Sequence, residues 1–130
     1  MDLEYKKAAQ KYSVSHMNNS KWFKIFSAWA ESGIEIAVSH WSFIESDHEE
    51  IHRLPRRQDL MENRFADGQF QPFEYKWILS IAIPATYKPI KNVGFERKQD
   101  IDKLKLIANT LGQYPIFDIE NGIEVRGYEI

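Results

Sequence analysis

Residues 73–87 read FEYKWILSIAIPATY, and the rest of the chain arranges itself around this run. Tyr75, Trp77, Leu79, Ile81 and Ile83 alternate along it, the period-two pattern of a β-strand with one face on a core. Ile78, Ser80 and Ala82 give the other face a half-apolar character, as expected of a central strand covered on both sides. Pro84 has no N–H to give to a ladder, so it ends the strand.

Downstream, Ile101, Leu104, Ile107, Ala108 and Leu111 fall on one helical stripe. Asp100 stands where an N-cap is wanted and Gly112 just past the end, so the spacing predicts a helix over 100–111. The stretch YPIFDIENGIEVRGY (114–128) then reads as a hairpin. A two-residue Asn121-Gly122 turn would set Ile119 against Glu124. A three-residue loop, Glu120-Asn121-Gly122 with Gly122 in the left-handed region, pairs Ile119 with Ile123 instead. The second register puts Phe117, Ile119, Ile123 and Val125 on one face and Asp118, Glu124 and Arg126 on the other, so hydrophobic patterning selects it.

Upstream, Trp22, Ile25, Phe26 and Trp29 mark a helix over 19–32, with Asn19 or Ser20 as its N-cap and Gly33 after its end. The tryptophans on that stripe are read as core. IEIAVSHWSFI (34–44) is β-branched and aromatic, and its apolar set changes phase between Val38 and Trp41. A strand with a bulge near Ser39-His40 accounts for both features. Tyr5, Ala8, Ala9 and Tyr12 suggest a short amphipathic helix over 2–13. The polar stretch 45–72 is irregular, with one short helical piece expected around RQDLMENRF (57–65). The class that follows is α+β: one domain over 17–130, a mostly antiparallel sheet with two main helices on one face and a C-terminal hairpin. Residues 1–16 form an N-terminal extension or short helix.

Composition narrows the function. Apolar residues make up 43% and aromatics 14% of 130 residues, enough for a packed core. A net charge of −2, with 28% charged residues of both signs, gives no overall attraction to nucleic acid or anionic membrane. The chain has no cysteine, which excludes disulfides and thiolate metal sites. No run approaches the ~18 apolar residues of a membrane-spanning helix, and a cytoplasmic location is the expectation. No cofactor motif is present.

Within the polar stretch, SDHEEIHRLPRR (46–57) contains His48-Glu49-Glu50-Ile51-His52, which satisfies H-E-x-x-H. In a zinc hydrolase that spacing works on a helix: both histidines reach one metal, and Glu49 would activate the bound water. Pro55 follows too soon for a long helix, and only Ile51, Leu54 and Pro55 are apolar enough to dock one. No third ligand stands at a recognisable spacing, so a solvated charged loop is the favoured reading. Arg53, Arg56 and Arg57 lie close together and suit an acidic partner. With Lys88 and Lys91 they also define a polyanion- or RNA-binding alternative. Asp118, Glu120 and Glu124 read as the wet face of the hairpin.

Two stretches carry a resemblance. MNNSKWFKIFSAWAESG (17–33) and ENGIEVRGYEI (120–130) are similar to the opening and the closing hairpin of a family of small bacterial proteins of unknown function that begin near a Met-Asn-Asn-Ser/Thr-Lys-Trp run. The resemblance implies that Met17 corresponds to the usual start, and it brings no activity with it. Trp-rich, cysteine-free α+β proteins of this size look like immunity proteins of bacterial toxin systems, an analogy of class. The expectation is therefore a non-catalytic domain that binds another protein, with Glu45, Asp47, Arg53, Arg56 and Arg57 at its interface.

Overall fold

The computed structural model describes residues 14–44, 48–65, 73–88 and 95–129; the helix expected over 2–13 lies outside them. Helices α1 (Asn19–Glu31) and α2 (Ile101–Leu111) pack on one five-stranded sheet. Its strands are β1 (Ser39–Phe43), β2 (Glu50–His52), β3 (Ile78–Pro84), β4 (Ile116–Ile119) and β5 (Gly122–Arg126). They lie in the order β2-β1-β3-β5-β4 with every pairing antiparallel. The class is the expected α+β. Val14–Ser15 pair with Tyr128–Glu129, which fastens the two ends of the described chain to each other.

The central strand begins later than its alternation suggests. Tyr75–Trp77 form a 3-10 turn, and the ladder starts at Ile78. Ser42 pairs with Ser80 but Phe43 pairs with Ile78, so Leu79 is an extra residue bulged out of β3. The bulge turns Ile78 into the core with Ile81 and Ile83, all three fully buried. This removes the apolar residue that made the second face look covered. Among the described residues that face carries Ile51, His40, Ala82, Glu124 and Phe117 in one row across the sheet. No bulge sits at Ser39-His40: β1 pairs there without a break, and the extra residue lies instead on the partner strand, at Leu79. The change of phase in residues 34–44 is real, but Gln99 absorbs it: its side-chain amide accepts the Val38 N–H (3.1 Å) and donates to the Val38 and Pro84 carbonyls (3.0 and 2.8 Å).

The core sits between the sheet and the helices. Trp22, Ile25, Phe26 and Trp29 from α1 meet Leu104 and Ala108 from α2, Trp41 and Phe43 from β1, and Ile123 and Val125 from β5. Each fully buried side chain of this size contributes about 1.5–3 kcal/mol relative to exposure. Trp29 also donates its indole N–H to the Leu104 carbonyl (3.0 Å), which links the helices without leaving a buried donor idle.

The N-cap of α1 is Asn18, one residue before the expected pair: its extended backbone lets Oδ1 accept the Lys21 N–H at 2.8 Å. Gly33 takes the expected positive φ of +80°. Asp100 caps α2 as expected, accepting the Lys103 N–H at 3.1 Å.

The hairpin register differs from the expectation. Ile119 pairs with Gly122 across a two-residue loop, and the positive φ falls on Asn121 (57°), not on Gly122. Tertiary contacts outweigh patterning here. The Asn121 carbonyl accepts the Ala85 N–H (2.8 Å) and its side chain exchanges bonds with Thr86, so the turn is fastened to the end of β3. Gly122 runs so close to β3 that an added Cβ would collide with the Ile83 carbonyl oxygen. As a result Ile123 lies opposite Asp118, and Phe117 lies opposite Glu124 on the open face. Phe117 lies under the Arg126 guanidinium there, at 4.2 Å. Asp118, Glu120 and Glu124 thus do not form one wet face: Asp118 pairs with Lys105 of α2 at 2.8 Å, and Glu124 with Arg126 at 2.7 Å.

Candidate functional site: an arginine-rimmed cleft

Residues 53–59 make a tight turn after β2, and their side chains rim a cleft of about 630 Å³. Leu54, Pro55, residues 34–37, Trp29 and Leu104 line it, and the Leu54 N–H is bonded to the Ile36 carbonyl at 3.1 Å. Arg53, Arg56, Arg57 and Gln58 line it as well, and Glu35 is the one acidic residue among the described residues of the lining. The volume falls within the range of about 300–1,000 Å³ common to ligand-binding clefts.

One carboxylate shapes the turn. Asp59 is 8% exposed, and its Oδ2 accepts the Arg56 backbone N–H at 3.0 Å while standing 3.8 Å from an Arg53 guanidinium nitrogen. The Asp59 N–H returns a bond to the Arg56 carbonyl at 2.9 Å. An acid three residues on, reaching back to the N–H at the start of a turn, is half of a capping box. Arg57 fixes the other end of the turn. Its Nε lies 3.5 Å from a Glu31 oxygen, and its guanidinium lies 5.4 Å from the Phe23 ring centre. Arg56 has no ion pair among the described residues.

Behind the turn, Tyr75 is fully buried and donates its hydroxyl to the Met61 carbonyl at 2.6 Å. Burial raises its pKa from 10.0 to about 12, against the opposing charge of Arg57.

The H-E-x-x-H string does not form the geometry that its letters suggest. Glu50–His52 is a strand, not a helix, so its side chains alternate between the two faces of the sheet. Ile51 points to solvent at 62% exposure, whereas the His52 ring is tucked against Trp41 and Phe73. The carboxylates diverge as well: Glu49 bonds His40 at 2.8 Å and Glu50 bonds His52 at 3.2 Å. Among the described residues no three His, Asp or Glu side chains converge as a metal site would need. The favoured alternative, a loop, is also corrected: part of the string is an edge strand paired to β1.

Of the expected interface residues, Arg53, Arg56 and Arg57 come together around one cleft. Glu45 and Asp47 lie outside the described residues, as does Lys91. Lys88 does not line the cleft. Sequence reasoning missed Asp59, whose signal was the acid three residues after Arg56. It also missed residues 34–37, which look like strand in sequence but leave the ladder before β1.

No protein-family model, curated protein or solved structure matches the chain. Among the described residues no helix is long and apolar enough to cross a membrane.

Proposed function

We propose that this chain is a non-catalytic protein-binding domain and that the arginine-rimmed cleft is its interface. The observation that carries this reading is the convergence of Arg53, Arg56 and Arg57 on one cleft that Trp29, Leu54 and Leu104 also line, on a turn that Asp59 closes through the Arg56 N–H. Arginines beside apolar surface are the side chains in which protein interfaces are enriched. A loop held by a rigid sheet is where such residues act with little ordering cost.

The test is chemical cross-linking in host lysate with the full chain and an Arg53→Glu/Arg57→Glu variant. The expected result is a partner cross-linked near residues 53–58 and lost from the variant; equal capture by both chains overturns the reading. A toxin-neutralising immunity protein is the narrower form of the same proposal. It is supported by analogy of class alone, since the family that residues 17–33 and 120–130 resemble brings no activity with it. It predicts that the captured partner arrests growth when expressed alone and does not when this chain is co-expressed.

A further inference from the structure

We infer that the cleft takes an extended acidic segment of the partner protein, laid alongside residues 34–37. The segment's carboxylates meet the arginines and an apolar side chain rests against Trp29 and Leu104. This rests on the protein-binding reading above and names what the partner presents.

Charge argues first. Among the described residues that line the cleft there are three arginines and one acid, Glu35. The ion pairs that hold Arg53 and Arg57 are long, at 3.8 and 3.5 Å, and both guanidinium groups are exposed, so an arriving carboxylate can compete for them. Arg56 has no carboxylate to exchange among the described residues. A planar guanidinium donates two hydrogen bonds at a time to a carboxylate, which rewards a partner presenting several acids.

The backbone decides between a peptide and a small acid. Residues 34–37 belong to no ladder, and the Leu54 N–H donates to the Ile36 carbonyl at 3.1 Å. Glu35 and Ala37 line the cleft and are exposed, and their N–H and C=O groups bond to nothing among the described residues. Exposed backbone groups that have no partner among the described residues can pair with an incoming chain. A small carboxylate would engage the arginines and leave these groups to water. An extended chain engages both.

The test is titration of the ¹⁵N-labelled full chain with an octapeptide of alternating Glu and Val. Its controls are the Lys-Val counterpart, a Glu-Val peptide N-methylated at alternate residues, and hexanoate. The expected result is binding of Glu-Val, with the Glu35 and Ala37 amides shifted and slowed in hydrogen exchange. The Lys-Val peptide does not bind, N-methylation weakens binding at least tenfold, and so does an Arg53→Gln/Arg56→Gln/Arg57→Gln variant. Equal binding of Lys-Val, shifts confined to surfaces away from the cleft, or N-methylated peptide and hexanoate matching the parent would each overturn the inference. The N-methylated peptide leaves the protein unaltered, so it decides the matter even if the triple variant does not fold. If cross-linking still depends on Arg53 and Arg57 while Glu-Val shows no preference, the inference falls and the protein-binding reading stands. If cross-linking is independent of both arginines, the protein-binding reading falls.

Discussion

In the interior, Phe26 lies 5.3 Å from Trp22, 5.8 Å from Trp41 and 5.7 Å from Tyr75, ring centre to ring centre. In the turn at 53–59, by contrast, one carboxylate holds the backbone, and the exposed arginines make only long pairs, Arg53 with Asp59 and Arg57 with Glu31. The interior is fixed by many interchangeable dispersion contacts, each weak, so the removal of one ring is felt by all its neighbours. The turn is fixed by a few directional bonds, so it can be altered at its rim without disturbing the sheet. A binding surface needs that separation, because its exposed residues then answer to the partner and not to the fold.

The largest expected effect tests the interior. Trp41→Ala removes a fully buried ring and the indole N–H that donates to Ser39 at 2.8 Å. Cavity formation of this kind costs about 3–5 kcal/mol, read as a lower urea midpoint. A loss under about 1 kcal/mol would mean that the interior is not the close-packed cluster described.

Asp59→Ala comes next. It strips the Arg56 N–H of its acceptor in a largely buried place, and about 1–2 kcal/mol is expected. Faster hydrogen exchange should be confined to residues 56–61 and leave β3 and β5 protected. Loss of protection throughout the sheet would erase the distinction between the two regions.

Tyr75→Phe probes the seam between them, since the ring lies in the core and the hydroxyl holds the Met61 carbonyl just after the turn. The expected loss is about 1 kcal/mol at neutral pH. The sign at high pH follows from the raised pKa. The folded chain keeps the phenol proton up to about pH 12 and an unfolded chain releases it near 10. This contribution is therefore complete below pH 10 and is lost as pH rises from about 10 to about 12. The variant should show a shallower decline over that window; identical alkaline profiles would contradict the burial of this hydroxyl.

The smallest effect is the most diagnostic of function. Arg56→Ala should leave the urea midpoint unchanged, because the side chain is exposed and makes no ion pair among the described residues. Partner capture should nonetheless weaken. A shift in midpoint would show that Arg56 belongs to the scaffold.

The elements that were legible in sequence share one property: their signals are local. The two helices could be read because their apolar stripes and the cap at Asp100 lie within one element. Trp22, Ile25, Phe26 and Trp29 repeat at helical spacing whatever they pack against. The hairpin existed in sequence but not in register, because Asn121 is fastened to Ala85 and Thr86, 35 or more positions earlier in the chain. The arginines could be named because they are close in sequence, but not the cleft they line, to which residues 34–37 also contribute.

The sequence by itself determined the α+β class, the two helices, the aromatic core and the grouping of Arg53, Arg56 and Arg57. Periodicity, capping and composition act over a few residues and do not depend on the rest of the chain. Only the tertiary structure decided that H-E-x-x-H runs into an edge strand, that Leu79 bulges so Ile78 can turn inward, and that Asp59 fixes the arginine turn. Each of those outcomes depends on which backbone groups find partners across the fold, and hydrogen bonds between distant segments leave no period in the sequence.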